Sequence, residues 1–135
     1  MANPNLQNSS SIYGNTAYVV PSSAATATTS WTYNGTTTLT GLTPATGSVN
    51  KIDAIIASNT TSSAATATIA IGNNATFGSA TVTAYAAYQI SVPPNASLII
   101  VDKTTPLYIT ENQSVAAYSG TASALTFAAS FEVVT

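Results

Sequence analysis

The stretch ALTFAASFEVV, residues 124–134, decides the predicted fold because polar and apolar side chains alternate along it. In an extended chain, one face would carry Leu125, Phe127, Ala129, Phe131 and Val133. The opposite face would carry Thr126, Ser130 and Glu132. A period of two is the spacing of a β-strand with one buried face, so this stretch predicts a half-buried antiparallel strand.

Two segments in the middle of the chain show the same alternation. In SVNKIDAIIAS (48–58), an extended backbone would place Lys51 and Asp53 opposite a face made of Ile52, Ala54 and Ile56. In AATATIAIG (64–72), Ala and Ile alternate with Thr. Both segments therefore predict strands with one face in the core.

Two further segments predict strands of a different kind. ASLIIVD (96–102) is a short apolar run, and we expect it to be buried on both faces. SATVTAYAAYQISV (79–92) reads as a strand, but its pattern does not choose between two registers. In either register Tyr85 and Tyr88, three residues apart, would lie on opposite faces.

Turn signals separate these strands. The sequence VPPN ends one strand because proline cannot donate to a β-ladder, and Asn34-Gly35 in SWTYNGTTTLT predicts a hairpin. Short strands divided by turns at this spacing predict an all-β fold, a jelly-roll-like β-sandwich. The expected core contains Leu125, Phe127, Phe131, Ile69, Ile99 and either Ile55 or Ile56.

The low charge of the chain excludes several classes of function. Charged residues make up 4% of the sequence, against about 25% in an average soluble protein. With only two basic residues, the chain lacks the basic clusters that bind nucleic acid or anionic membranes. A chain with so little self-repulsion is expected to reside in an assembly rather than as a dispersed monomer.

Catalytic groups are equally scarce. The chain has no His and no Cys, so triads and dyads of the common kinds cannot form. The four acidic residues are Asp53, Asp102, Glu111 and Glu132, which we interpret as solvated or interface charges. We therefore expect no enzymatic activity, no metal site and no cofactor.

Residues 1–20 are polar and contain few apolar groups. We interpret them as an extended N-terminal arm, followed by a β-sandwich domain over residues 21–135. Apolar side chains of the arm, together with two aromatic residues of the predicted hairpin, are the expected contacts with a partner: Leu6, Ile12, Tyr13, Tyr18, Val19, Trp31 and Tyr33. No basic and apolar leader of the secretory kind precedes them, so synthesis in a cytoplasm is expected.

From residue 48 to residue 134 the sequence resembles small β-sandwich structural proteins of tailed bacteriophage virions. The elements that carry the resemblance are the Ile/Val strand ending in Asn, the turn VPPNASL, the run DKTTPLYITENQSVAAY and the closing SFEVV. The resemblance implies a capsid decoration (cement) protein or an accessory tail or neck protein, located in the virion and made in the host cytoplasm.

The leading hypothesis is a decoration protein that binds across neighbouring major capsid subunits and associates with its own copies as a trimer. A tail, neck or fibre-associated virion protein is the first alternative. A carbohydrate-binding module for host attachment is the second, because Trp31 and the tyrosines are residue types that stack on sugars. Core packing or subunit contact explains such aromatic residues more often than sugar binding does.

Overall fold

The structure is a computed structural model that describes residues 10–77 and 82–135. Within these ranges the chain forms ten β-strands and no α-helix. The strands assemble into two antiparallel sheets that pack against each other. The predicted all-β class and β-sandwich are confirmed.

Turns and loops separate the strands, as the turn signals predicted. In chain order they are β1 (Ile12–Val19), β2 (Ser30–Tyr33), β3 (Thr37–Thr40), β4 (Val49–Asn59), β5 (Ala65–Gly72), β6 (Val82–Val92), β7 (Ser97–Val101), β8 (Leu107–Ile109), β9 (Ser114–Ser119) and β10 (Leu125–Val134). The predicted hairpin joins β2 to β3, with Asn34 and Gly35 at φ 51° and 81°. Asn and Gly tolerate these positive φ angles better than other residues.

The two sheets differ in size. The large sheet has seven strands in the order β3-β2-β1-β10-β4-β7, and β8 pairs with β4 beside β7. The small sheet has three strands in the order β6-β5-β9. A jelly roll divides eight strands between two sheets, so we describe this fold at the coarser level, as a β-sandwich.

The core lies between the two sheets, and the last strand contributes its largest side chains. The core residues that the sequence predicted correctly are all at most 1% exposed: Leu125, Phe127, Phe131, Ile55 and Ile69. Facing side chains from the small sheet include Ala67, Val92 and Val115. Alternation along β10 therefore predicts its buried face correctly from Leu125 to Phe131.

An extra residue in β4 breaks the alternation predicted for that strand. Ser130 of β10 pairs with Ala54, whereas Phe131 pairs with Ile52, so Asp53 has no partner of its own. A bulge of this kind shifts every following side chain to the other face. Ile55 is consequently buried in place of Ile56, and the prediction that Ile52, Ala54 and Ile56 share a face was wrong.

The expected burial of β7 on both faces was also wrong. Ile99 is 63% exposed. It pairs with Ile56 of β4, and β7 lies at the edge of the large sheet. Strand β7 therefore packs against the core with one face only, since no second layer covers its outward face.

The N-terminal arm requires a larger correction. Residues 12–19 form β1, which pairs with β10 over its whole length and with β2 on its other side. Ala17 and Val19 of this strand are buried in the core. The predicted boundary between arm and domain at residue 20 was therefore wrong for the described part of the arm. The backbone of β1 makes its hydrogen bonds with β10 and β2 of the same domain.

Trp31 was predicted as a partner contact and is instead a core residue. Its side chain is 0% exposed, and its Nε1–H donates to the carbonyl of Val115 at 3.2 Å. Since Trp31 lies in β2 and Val115 in β9, this hydrogen bond joins the two sheets. A buried indole N–H generally has such a partner.

Replacing Phe127 with alanine is expected to lower the free energy of unfolding by about 3–5 kcal/mol, because the change leaves a cavity between the sheets. Urea denaturation measures this loss. The control is Thr126→Ala, the preceding residue on the opposite face, which should cost about 0.5 kcal/mol or less. A loss below about 1 kcal/mol for Phe127→Ala would show that β10 is not part of the core.

Trp31 is the single tryptophan of the chain, so its fluorescence reports on one site. Because the indole is fully buried, we expect emission shifted to the blue and little quenching by acrylamide in the native protein. Both properties should disappear on unfolding in urea. Strong quenching of the native protein would contradict the assignment of Trp31 to the core.

Candidate functional site

Three of the predicted partner contacts are accessible, and all three lie on β1. Ile12, Tyr13 and Tyr18 are 57%, 63% and 45% exposed. Ile12 and Tyr18 point away from the small sheet, since Ala17 and Val19 point toward it. Tyr13 lies on the same side of β1 as Ala17 and Val19, but the small sheet does not cover it.

The other predicted contacts are less available. Val19 and Trp31 are buried in the core. Tyr33 is partly buried and packs edge-on against Phe131, with ring centroids 6.4 Å apart. Leu6 lies outside the described residues. The structure thus leaves the β1 residues as the accessible part of the predicted set.

Small, neutral residues separate Ile12 from Tyr18 on the outward face of the large sheet. On β1 these are Gly14 and Thr16, and Thr16 pairs with Ser130 of β10. Further along the same sheet, Ile99 and Tyr108 are also exposed. We call this surface, with Ile12, Gly14, Thr16, Tyr18 and Ser130 as its central residues, the outer face.

One basic and two acidic side chains cluster on the outer face, where Glu132 pairs with Gly14. Lys51 Nζ lies 3.1 Å from a carboxylate oxygen of Asp53 and 3.5 Å from one of Glu132. The bulge at Asp53 and the pairing of Lys51 with Glu132 bring these groups together. The neighbouring carboxylate of Asp53 raises the pKa of the lysine above its ordinary value, and Glu132 adds to this effect.

A second surface, on the far side of the small sheet, forms a groove of about 240 Å³. Aromatic and neutral polar side chains dominate its lining, which consists of Tyr85, Tyr88, Tyr118, Gln89, Thr66, Thr68, Ser119, Ala25 and Gly120. We call it the tyrosine groove. Tyr85 and Tyr88 are half exposed.

Tyr85 and Tyr88 share this groove because β6 does not alternate regularly. Between Tyr85 and Ile90, β6 has two more residues than the facing segment of β5. The two rings therefore lie on the same side, with centroids 4.8 Å apart and planes at 62°. The prediction that they lie on opposite faces was wrong, since it assumed an unbroken strand.

One bulge of β6 is fixed by a local hydrogen bond. Gln89 adopts φ 49°, a conformation that non-glycine residues seldom take. Its backbone N–H donates to the hydroxyl of Thr68 at 2.9 Å. This contact anchors the backbone between Tyr88 and Ile90 to β5 and so orients the tyrosine rings.

The other wall of the groove is held by backbone contacts. Gly120 N–H donates to the carbonyl of Thr66 at 2.8 Å. A Cβ atom on Gly120 would lie 2.1 Å from the hydroxyl oxygen of Thr66. Any larger residue would force the Thr66 side chain to move, because the two segments approach closely at this wall.

The groove is electrostatically neutral, since none of its lining residues carries a charge. Burial raises the pKa of Tyr118 above its ordinary value, and the neighbouring Tyr85 adds to this effect. Tyr118 therefore keeps its proton at neutral pH. The groove offers aromatic faces, hydroxyl groups and an amide.

The described residues hold neither a cluster of metal ligands nor a membrane-spanning helix. In residues 10–77 and 82–135, no three His, Cys, Asp or Glu side chains come together as metal ligands would. The same ranges contain no helix long and apolar enough to cross a membrane. No family model, curated protein or solved structure matches the chain.

Sequence reasoning missed the tyrosine groove, although a signal was present. The segment TAYAAYQ spaces its tyrosines by three residues and fits neither strand register cleanly. Such a break in alternation indicates a bulge. Tyr118 and Gln89 become recognisable as neighbours only when the strands β9 and β6 are placed on either side of β5.

The raised pKa of Tyr118 predicts a loss of stability in alkaline solution. Its contribution to stability is fully present below the unfolded value, about 10, and is lost as pH rises through the higher folded value. NMR titration of the Tyr118 ring should give a midpoint above that of the unfolded chain. A midpoint at or below it would contradict the burial of this hydroxyl.

Proposed function

We propose that this chain is a virion structural protein, and specifically a capsid decoration (cement) protein that binds across neighbouring major capsid subunits. The resemblance of residues 48–134 to phage virion proteins is one support. The observation that carries the proposal is the outer face. Ile12 and Tyr18 stand exposed there, with Gly14 and Thr16 between them, in a chain that has very few charges.

The outer face has the physical properties of a docking surface. Fully burying one large apolar side chain contributes about 1.5–3 kcal/mol, and Ile12, Tyr18, Ile99 and Tyr108 all have exposed area to bury. Small residues between them, such as Gly14 and Ser130, allow another surface to approach the sheet closely. The strands need no rearrangement, so little ordering entropy opposes binding.

The mechanism of shell stabilisation follows from thermodynamic linkage between binding of this protein and separation of the capsid subunits. A protein that contacts two or more capsid subunits must release its contacts before those subunits separate, so its binding favours the closed shell. Association of three copies would present three outer faces at once and increase the effective affinity. The trimer and the contact with the major capsid protein are parts of this proposal.

The first alternative is a tail, neck or fibre-associated protein. Such a protein would use the same surface at a different place on the particle. The number of copies per particle therefore distinguishes the two hypotheses. A reconstruction of purified particles of the phage that encodes the chain would show a decoration protein in many copies over the shell. Density confined to the tail or neck would favour the alternative, and no density anywhere would overturn both.

Substitutions on β1 test the outer face directly. Threonine keeps the strand propensity of the site, so the double variant Ile12→Thr/Tyr18→Thr removes apolar area with little change in fold. We expect its occupancy on particles stripped of the protein to fall at least about tenfold, since each side chain contributes about 1 kcal/mol or more when buried.

The matched control is Tyr88→Thr, which changes a comparably exposed tyrosine on the other sheet and should leave occupancy unchanged. Wild-type occupancy should be similar at about 0.05 and 0.5 M salt, because screening acts mainly on charged contacts. Full occupancy of the β1 double variant would refute the outer face as the docking surface. Loss of wild-type binding at high salt would refute its apolar character.

A further inference from the structure

We propose that the tyrosine groove binds a neutral saccharide. The proposal goes beyond the structural role proposed above, because the groove lies on the small sheet and the outer face on the large sheet. One copy of the protein would then hold the particle with one sheet and present a sugar site on the other. The groove replaces Trp31, now a core residue, as the basis for carbohydrate recognition.

The exposure of the tyrosines is the first observation. Tyr85 and Tyr88 are 50% and 57% exposed, so neither is explained by packing in the core. Their edge-to-face arrangement leaves ring surface open to the solvent. The apolar C–H face of a sugar ring packs well on such a surface, and tyrosine supplies it at a low cost in side-chain entropy.

The polar lining is the second observation, and it selects the class of ligand. The exposed amide of Gln89, the hydroxyl of Thr66 and the tyrosine hydroxyls both donate and accept hydrogen bonds. A polyhydroxylated ligand needs both functions. The lining contains no Lys or Arg to pair with an anionic ligand and no carboxylate to pair with a cationic one.

The shape of the groove is the third observation. Its volume is about 240 Å³, below the roughly 300–1,000 Å³ of pockets that enclose drug-sized ligands. A groove of this size suits one or two sugar rings of a longer chain. Its walls are fixed by the contact of Gln89 with Thr68 and by the approach of Gly120 to Thr66. The site is therefore formed before a ligand arrives.

The test is a binding measurement on the purified full-length chain with neutral oligosaccharides. Tetrasaccharides of α- and β-linked glucose, of N-acetylglucosamine and of mannose serve as probes, and an alginate tetrasaccharide serves as the charged comparison. We expect at least one neutral probe to bind with a Kd of about 1 mM or tighter in calorimetry. The alginate probe should bind at least about tenfold more weakly.

Variants locate the binding. Tyr88→Ala and Tyr85→Ala should each weaken it about tenfold or more, whereas Tyr88→Phe, which keeps the ring, should weaken it less. The matched control is Tyr108→Ala, a similarly exposed tyrosine on the large sheet, which should not change the affinity. If the alanine variants do not fold, saturation transfer from the tyrosine ring protons of the wild-type protein to the sugar gives the same information.

Absence of saturable binding of every neutral probe at about 10 mM would overturn the proposal. So would equal loss of affinity in Tyr88→Ala and Tyr108→Ala, or a preference for alginate. These outcomes are independent of the structural proposal, since particle occupancy is measured with the β1 double variant. If Tyr88→Thr abolished occupancy instead, the tyrosine groove would be a subunit contact and not a sugar site.

Discussion

The pairing of β10 with β1 on one side and β4 on the other is the constraint on which the rest of the structure depends. It places the most strongly alternating strand in the interior of the large sheet, with Phe127 and Phe131 under the small sheet. It also brings the two ends of the described chain together, since Ser10 and Ser11 donate to the carbonyl of Thr135. Residues 12–19 are thereby committed to the fold, and their outward side chains become a surface of the domain.

Bulges decide which side chains reach the two candidate surfaces. Asp53 in β4 reverses the faces of the residues that follow it, so Ile55 enters the core and the outward side receives Ala54 and Ile56. In β6, the extra residues gather Tyr85 and Tyr88 on one side. Strand β6 is also the edge of the small sheet, and its bulges disturb the ladder that another strand would need for pairing.

The few charged residues are distributed unevenly between the two candidate surfaces. Lys51 pairs with both Asp53 and Glu132 on the outer face, which leaves one negative charge in excess there, and no charged residue lines the tyrosine groove. Both surfaces therefore bind, as we propose, through apolar contact and neutral hydrogen bonds. Such contacts are short-ranged and depend on shape, which suits the rigid scaffold that a β-sandwich provides.

The sequence by itself determined the fold class, most of the strands and the buried face of β10 up to Phe131, because alternation and turn residues are local properties of the chain. It did not determine the place of β1, since small residues such as Ala17 carry little hydrophobic signal and its partner β10 lies more than a hundred residues away. It also missed the exposure of Ile99 and the burial of Trp31, which depend on whether a second layer covers each strand. Only the tertiary structure decided which side chains form the two surfaces. A β-bulge is defined by comparison with the partner strand, and packing of the whole domain selects that partner.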